Sequence, residues 1–268
     1  MPQDTAPHQQ AAQRINDHWT VLPTSFPVPG MGSLPVNAFV LAGAEPMLVD
    51  TGLAMLSDDL FGALSAVIDP EELRWIWLSH TDADHIGNLD RILQAAPKAR
   101  VLTNFLGAGK MGMMGVGDIE RVRVLAPGEV VEIGGRRLRQ VRPPYYDAPE
   151  TMGFFDETDR VLFAADAFGA LLPGPVSDIA EVSEATLRDG LVGWSSIDAP
   201  WLAQIDRDAL GRTLSALERM DPALVFSGHL PVAQDIGALA GHVAAAYGHG
   251  ATAAVTAEGK AAAAAVFE

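Results

Sequence analysis

The sequence predicts an α/β fold built from two sheets with helices packed on them, and three observations carry that expectation. Short apolar runs ending in polar loops alternate with stretches whose apolar residues recur at helical spacing. The hairpin pattern of the first half returns in the second half. Ionisable residues stand just beyond the ends of several strands, where open α/β sheets place their sites. With 268 residues, 49% hydrophobic and 19% charged, the chain can bury a large core as one domain.

Residues 1–30 read as a polar N-terminal arm and a loop carrying Pro23, Pro27, Pro29 and Gly30, residues 31–250 as the folded domain, and residues 251–268 as an Ala-rich tail. Pro35 to Leu41 and Met47 to Asp50 are apolar runs around Gly43-Ala44-Glu45, a hairpin that Thr51-Gly52 ends. Ser57 is a good N-cap for a helix bearing Leu60, Phe61, Leu64, Val67 and Ile68 on one face. Arg74 to Leu78 reads as a buried strand, and Leu89, Ile92, Leu93 and Ala96 mark the next helix. Val101 to Thr103 is a strand, whereas the glycine and methionine pairs of 107–117 show neither period and read as a flexible loop, a candidate lid. Two hairpins follow, Val130 to Ile133 with Leu138 to Val141, then Gly153 to Asp156 with Val161 to Ala165. Residues 171–206 have no clear period. Leu210, Leu214 and Leu217 mark a helix, and Leu224 to Phe226 a final strand leading into Ser227-Gly228-His229.

Composition excludes several chemistries. The chain has no cysteine, so any metal must be held by nitrogen and oxygen. A formal charge of −16 disfavours nucleic acid and anionic membrane surfaces as partners. The one dense basic run, Arg136, Arg137, Arg139 and Arg142, reads as a hairpin strand with a solvated edge. No apolar run approaches the roughly 20 residues that span a bilayer. The first twenty residues are too polar for a secretory signal, which points to the cytoplasm.

The chemistry concentrates in Ser79-His80-Thr81-Asp82-Ala83-Asp84-His85, which puts four metal-binding side chains in six residues between a strand and a helix. In an extended loop His80, Asp82 and Asp84 project to one side. Two carboxylates about 4 Å apart repel by about 4 kcal/mol at an effective dielectric of 20, which a cation or solvent must offset. A solvated, Asp-rich turn is the plain alternative. Asp147, Asp166 and His229 also stand at strand ends, so convergence would gather three histidines and four aspartates in one pocket.

This His80-Thr81-Asp82-Ala83-Asp84-His85 motif resembles that of the metallo-β-lactamase superfamily, with an aspartate where the second histidine usually stands. An acidic residue there, together with Leu162-Phe163-Ala164-Ala165-Asp166-Ala167-Phe168-Gly169, is most similar to the flavodiiron and oxygen-binding diiron branch. The resemblance runs from about Pro35 to Pro231. It implies an αββα sandwich of two mixed sheets and two metal ions, one held by His80, Asp82 and Asp147, the other by Asp84, His85 and His229, with Asp166 bridging. Histidine is usual at the position of Asp147, and Tyr145, Tyr146 and Glu150 are alternative ligands if that loop is shifted. Tyr145 and Tyr146 are otherwise candidates for donors behind the ligands, or simple packing residues.

The carboxylate-rich donor set suits iron, with manganese also compatible, while affinity order alone favours zinc. The resemblance implies a diiron protein that binds or reduces dioxygen or a related oxidant, or a diiron oxygenase. The alternative is a dinuclear hydrolase of an ester, thioester, lactone or phosphoester. Flavodiiron proteins carry an additional flavin-binding domain. No glycine fingerprint for one is present here and little chain follows His229, so a separate electron-donor protein is expected. Partners are thus dioxygen or a small-molecule substrate and that donor, with self-association left open.

Overall fold

The computed structural model describes residues 6–248, and the tail expected over 251–268 lies outside them. One sheet contains β1 (His8–Gln9), β2 (Gln13–Arg14), β3 (Trp19–Val28), β4 (Gly32–Leu41), β5 (Met47–Val49), β6 (Trp75–Trp77), β7 (Arg100–Asn104) and β8 (Val122–Leu125). They run in the order β1-β3-β4-β5-β6-β7-β8, with β2 also on β3. The other sheet, in the order β14-β13-β12-β11-β10-β9, holds β9 (Val130–Ile133), β10 (Arg136–Val141), β11 (Gly153–Asp156), β12 (Val161–Phe163), β13 (Leu224–Ser227) and β14 (Leu230–Ala233). Both are mixed: β5 to β8 are parallel neighbours, as are β12 and β13, and the other pairs are antiparallel.

Strand alternation sorts the side chains into three apolar layers. Phe39, Trp77, Phe154, Phe163 and Phe226 fill the space between the sheets. Phe39 stacks on Phe226 with ring centroids 4.5 Å apart, and Trp77 meets Phe154 edge-on at 4.9 Å. Ala38, Val40, Ile76, Leu78 and Val101 face outward from the first sheet onto α1 (Ser57–Ser65), α3 (Leu89–Ala95) and Met111 of α4 (Phe105–Met114). Leu162 and Val225 face outward from the second sheet onto α5 (Glu184–Asp198), α6 (Arg207–Glu218) and α7 (Ile236–Gly248). The result is the expected αββα sandwich. Among the described residues, no helix is long and apolar enough to cross a membrane.

The structure corrects the sequence reading at five places. Residues 8–28 contain three strands, β1 to β3, rather than an arm and loop. Pro23 is tolerated in β3 because its carbonyl accepts from Gln10 N–H at 2.8 Å, so its nitrogen faces only the two-residue edge strand β1. Ser57 is the first residue of α1 and not its N-cap; its hydroxyl instead accepts from Arg91 at 2.7 Å.

The stretch 107–117 is mostly helix α4, not a loop. Its start is fixed by Asn104, whose side chain accepts from Gly107 N–H, and its end by Gly115 in the left-handed conformation at φ 67°. Gly107 is required because a Cβ there would stand 2.3 Å from Thr103 Oγ1. Residues 171–206 contain α5, capped by Ser183, and β14 and α7 follow the last strand that the sequence showed.

The arginine run is not a solvated edge, because β10 is paired on both sides. Arg136 is buried against Asp156 and Asp159, Arg137 and Arg139 pair with Glu157, and Arg142 lies over the Tyr146 ring. Three of the four arginines are thus paired with carboxylates within the chain, and Arg142 donates to Pro149 O.

Candidate metal centre

The centre lies where strands of both sheets end. β5 runs into Asp50, β6 into Ser79-His80, β12 into Asp166 and β13 into His229. Helix α2 (Ala83–Ile86) carries Asp84 and His85, and Thr51 holds its end by donating N–H and Oγ1 to His85 O at 2.7 and 2.9 Å. Asn37 of β4 ties the sheets together at this point. Its amide nitrogen donates to Ser227 O and Leu230 O, and its N–H to Gly228 O.

Asp166 is the hub. Its Oδ2 lies 3.3 Å from His80 Nε2 and 3.5 Å from His229 Nε2, and its Oδ1 3.2 Å from His85 Nε2. Asp84 Oδ2 lies 3.3 Å from His85 Nε2 and 3.4 Å from His229 Nε2, and Asp147 Oδ2 lies 3.5 Å from His80 Nε2. Donor atoms of His80, Asp82 and Asp147 lie within 4.8 Å of one another, as do those of Asp84, His85 and His229. All seven residues singled out from the sequence therefore converge. Two donors about 2.1 Å from one ion, at angles between tetrahedral and octahedral, stand about 3.0–3.4 Å apart, so these spacings fit metal ligation.

The hydrogen bonds fix the histidine tautomers in the form a metal needs. His229 Nδ1 faces Pro35 O at 2.8 Å, and His85 Nδ1 faces Asp50 Oδ2 at 2.9 Å; both partners can only accept, so both Nδ1 atoms carry the proton. Ser79 Oγ donates to Asp50 Oδ2 at 2.7 Å and so accepts from His80 Nδ1 at 2.9 Å. Every Nε2 lone pair is thereby turned toward Asp166. His80 Nε2, His85 Nε2 and Asp166 Oδ1 are buried with no hydrogen-bond partner, an arrangement that a cation would satisfy.

Charge and backbone tell the same story. Burial works against the charged forms throughout the cluster. Even so, Asp166, Asp84 and Asp50 hold His85 well above its usual range, and Asp166 and Asp84 hold His229 up at about 9. The histidines in turn keep Asp166 and Asp84 well below theirs. Such paired protons mark the places that cations take over on binding. Asp50, Ala165 and Phe168 adopt left-handed backbone at φ 57°, 49° and 67°, strain that clusters at the site. A Cβ on Gly228 would lie 3.0 Å from His85 Cε1 and 3.1 Å from Asp166 Oδ1, so a side chain there would crowd the cluster.

The remaining candidates divide. Tyr145 is buried behind the site, where its hydroxyl accepts from Phe168 N–H at 2.6 Å and braces the turn that presents Asp166. Tyr146 packs on Trp201 at 5.3 Å and under Arg142, so it serves packing. Glu150 stands outside the converging groups: its Oε1 accepts from Thr81 Oγ1 at 2.8 Å and from Lys110 Nζ. Burial alone would raise the Glu150 carboxyl, but these two donors hold it below its usual range.

Asp50, Trp194 and Asp198 were not foreseen. Asp50 had a usable signal, since it ends a strand adjacent to the one that delivers His80. Trp194, whose ring lies 5.3 Å from that of His229, and Asp198 come from α5, a segment with no legible period. Burial first, then the nearby Asp166 charge, push the Asp198 carboxyl up to about 8.

Comparison with known proteins agrees with the geometry. A type A flavoprotein, fprA, of Rhodobacter capsulatus is 32% identical over 203 residues, covering 73% of this chain and 44% of the relative. A flavo-diiron protein of Clostridium acetobutylicum is 27% identical over 136 residues, covering 50% of this chain and 34% of its own. This chain spans less than half the length of these relatives. Among solved structures, a flavoprotein from Thermotoga maritima superposes with a TM-score of 0.77 at 21% identity, over 90% of this chain and 62% of that one. The rubredoxin oxygen:oxidoreductase of Desulfovibrio gigas superposes with 0.76 at 18%, over 88% and 61%. At these identities the structures show the shared fold. The model described as ODP family beta lactamase matches residues 34–190, more than half of the sequence, and the chain belongs to that family.

Proposed function

We propose that this chain holds two iron ions and binds or reduces dioxygen or a related oxidant. The observation that carries the reading is Asp166, set between three buried histidines whose Nε2 atoms face it at 3.2–3.5 Å. In this reading His80, Asp82 and Asp147 would hold one ion and Asp84, His85 and His229 the other, with Asp166 placed to serve both. A reducible metal pair supplies electrons to an oxidant one at a time and Lewis acidity beside it.

The residues of the chain do the rest. Asp50, Ser79 and the Pro35 carbonyl keep each imidazole proton on Nδ1, away from the metals. Tyr145 anchors the Asp166 turn and packs on Phe168, while Trp194 sets an aromatic ring against His229. A donor set of three imidazoles and at least four carboxylates is harder than an imidazole-rich zinc site, which supports iron. The relatives carry flavoprotein and flavo-diiron in their names, and the Desulfovibrio protein is named for rubredoxin and oxygen. We therefore take the electrons to come from a redox carrier.

Protein purified without added metal is expected to contain two irons per chain. After anaerobic reduction it should change its visible absorption on exposure to oxygen. A colourless, zinc-filled protein that never responds to oxygen would falsify the reading.

A further inference from the structure

We propose that Asp198, in the last turn of α5, is a further carboxylate ligand of the ion held between His80 and Asp147. The inference rests on the two-ion reading above and deepens it. Carboxylate oxygens of Asp147, Asp166 and Asp198 lie within 4.8 Å of one another, and Asp198 Oδ2 is buried with no hydrogen-bond partner. An acidic cluster alone would mean little. Here a second group points into it: His80 is 0% exposed, and its Nε2, also without a hydrogen-bond partner, sits 3.5 Å from Asp147 Oδ2 and 3.3 Å from Asp166 Oδ2.

Asp147 and Asp166, the two carboxylates that face His80 Nε2, thus also gather Asp198, and a cation among them would give Asp198 Oδ2 and His80 Nε2 the partners they lack. The helix that brings Asp198 there is held rigidly. Gly190 packs so tightly on the chain at Leu171 that a Cβ would stand 2.3 Å from Leu171 O, and Ser195 bonds Leu191 O and the Tyr247 hydroxyl at 2.7 Å.

Asp198 makes the two halves of the centre unlike. On the His80 side one imidazole stands with Asp82, Asp147 and the shared Asp166, and Asp198 joins them through its approach to Asp147 and Asp166. On the other side two imidazoles, His85 and His229, face Asp84 and the shared Asp166. The first half is therefore the harder and more anionic, and it favours the ferric state of its ion more strongly.

The test uses the whole chain loaded with iron-57, as wild type, Asp198→Asn and Asp198→Glu, read by chelator competition and Mössbauer spectroscopy. Wild type is expected to hold two ions with two distinct iron signals. Asp198→Asn should weaken one ion by tenfold or more and shift only its signal, while Asp198→Glu should restore both. Variants that bind and resonate like wild type, or an Asp198→Asn protein that loses both ions together with its far-ultraviolet circular dichroism, would overturn the assignment of Asp198 alone. A wild type that binds no ion pair would overturn the dinuclear reading as well.

Discussion

Asp50 shows how much a single atom behind the ligands controls. Its Oδ1 accepts from Ser79 N–H at 2.8 Å, while its Oδ2 accepts from Ser79 Oγ and His85 Nδ1. In Asp50→Asn the amide oxygen must stay on the Ser79 N–H, so the NH2 group faces His85 Nδ1. A donor there forces the imidazole proton onto Nε2, the nitrogen turned toward Asp166. The left-handed backbone at position 50 suits asparagine as well as aspartate, so the fold is kept. Metal affinity should fall by about 10–100-fold with little change in circular dichroism. A variant that retains both ions against a competing chelator contradicts this account. At this scale the sequence was legible where donors are neighbours in the chain: His80, Asp82, Asp84 and His85 announce themselves within six residues. Asp198 did not, because it approaches Asp147 and Asp166 only once α5 has folded onto the second sheet, and no local pattern encodes that meeting.

Elements were legible where one face is apolar at a regular period and illegible where glycines and exposed apolar residues interrupt that pattern. Strands β4, β9, β10, β12 and β13 and helices α1, α3 and α6 follow their alternation or helical spacing. Helix α4 does not, since Gly107, Gly109 and Gly112 interrupt it and the exposed Phe105 and Met113 blur its polar side. Helix α5 carries Gly190 and Gly193 in its middle, yet these glycines do different things. Gly190 meets the Leu171 carbonyl, whereas a Cβ on Gly193 would find only Leu171 Cδ1 at 4.0 Å. Gly190→Ala should therefore destabilise by about 1–3 kcal/mol through overpacking, and should loosen metal binding by displacing Asp198 and Trp194. Gly193→Ala should be neutral or stabilise by up to about 1 kcal/mol, from helix propensity alone. Denaturant titration of the pair measures both; equal effects would mean that α5 does not rely on its approach to Leu171.

For the molecule as a whole, the sandwich brings charges together that only protons or metal ions can reconcile, so stability must depend on both. In the metal-free protein His229 is held at about 9 against an ordinary value near 6.5, and His85 well above it. A raised histidine stabilises the fold fully below its unfolded value, and that contribution is lost as pH climbs through the folded one. Asp198, held up to about 8, works in the same direction, because its neutral form is the one the fold prefers and ionisation above its ordinary range is penalised. Asp166 and Asp84 are depressed, so their contribution is present at neutral pH and lost only in acid. Between pH 6.5 and 9 the metal-free native state thus binds more protons than the unfolded chain, and its stability falls as pH rises. The loss is on the order of 3 kcal/mol from His229, or roughly 10 °C in Tm for a domain of this size. Bound metal ions reverse the dependence, since they take the place of the Nε2 protons and are favoured as those protons leave. Calorimetry on loaded protein and on protein stripped and dialysed free of chelator should show stripping to lower Tm at both pH values, with a wider gap at pH 9 than at pH 6.5. A gap that narrows toward pH 9 would mean that metal ions and imidazole protons do not compete for the same nitrogens.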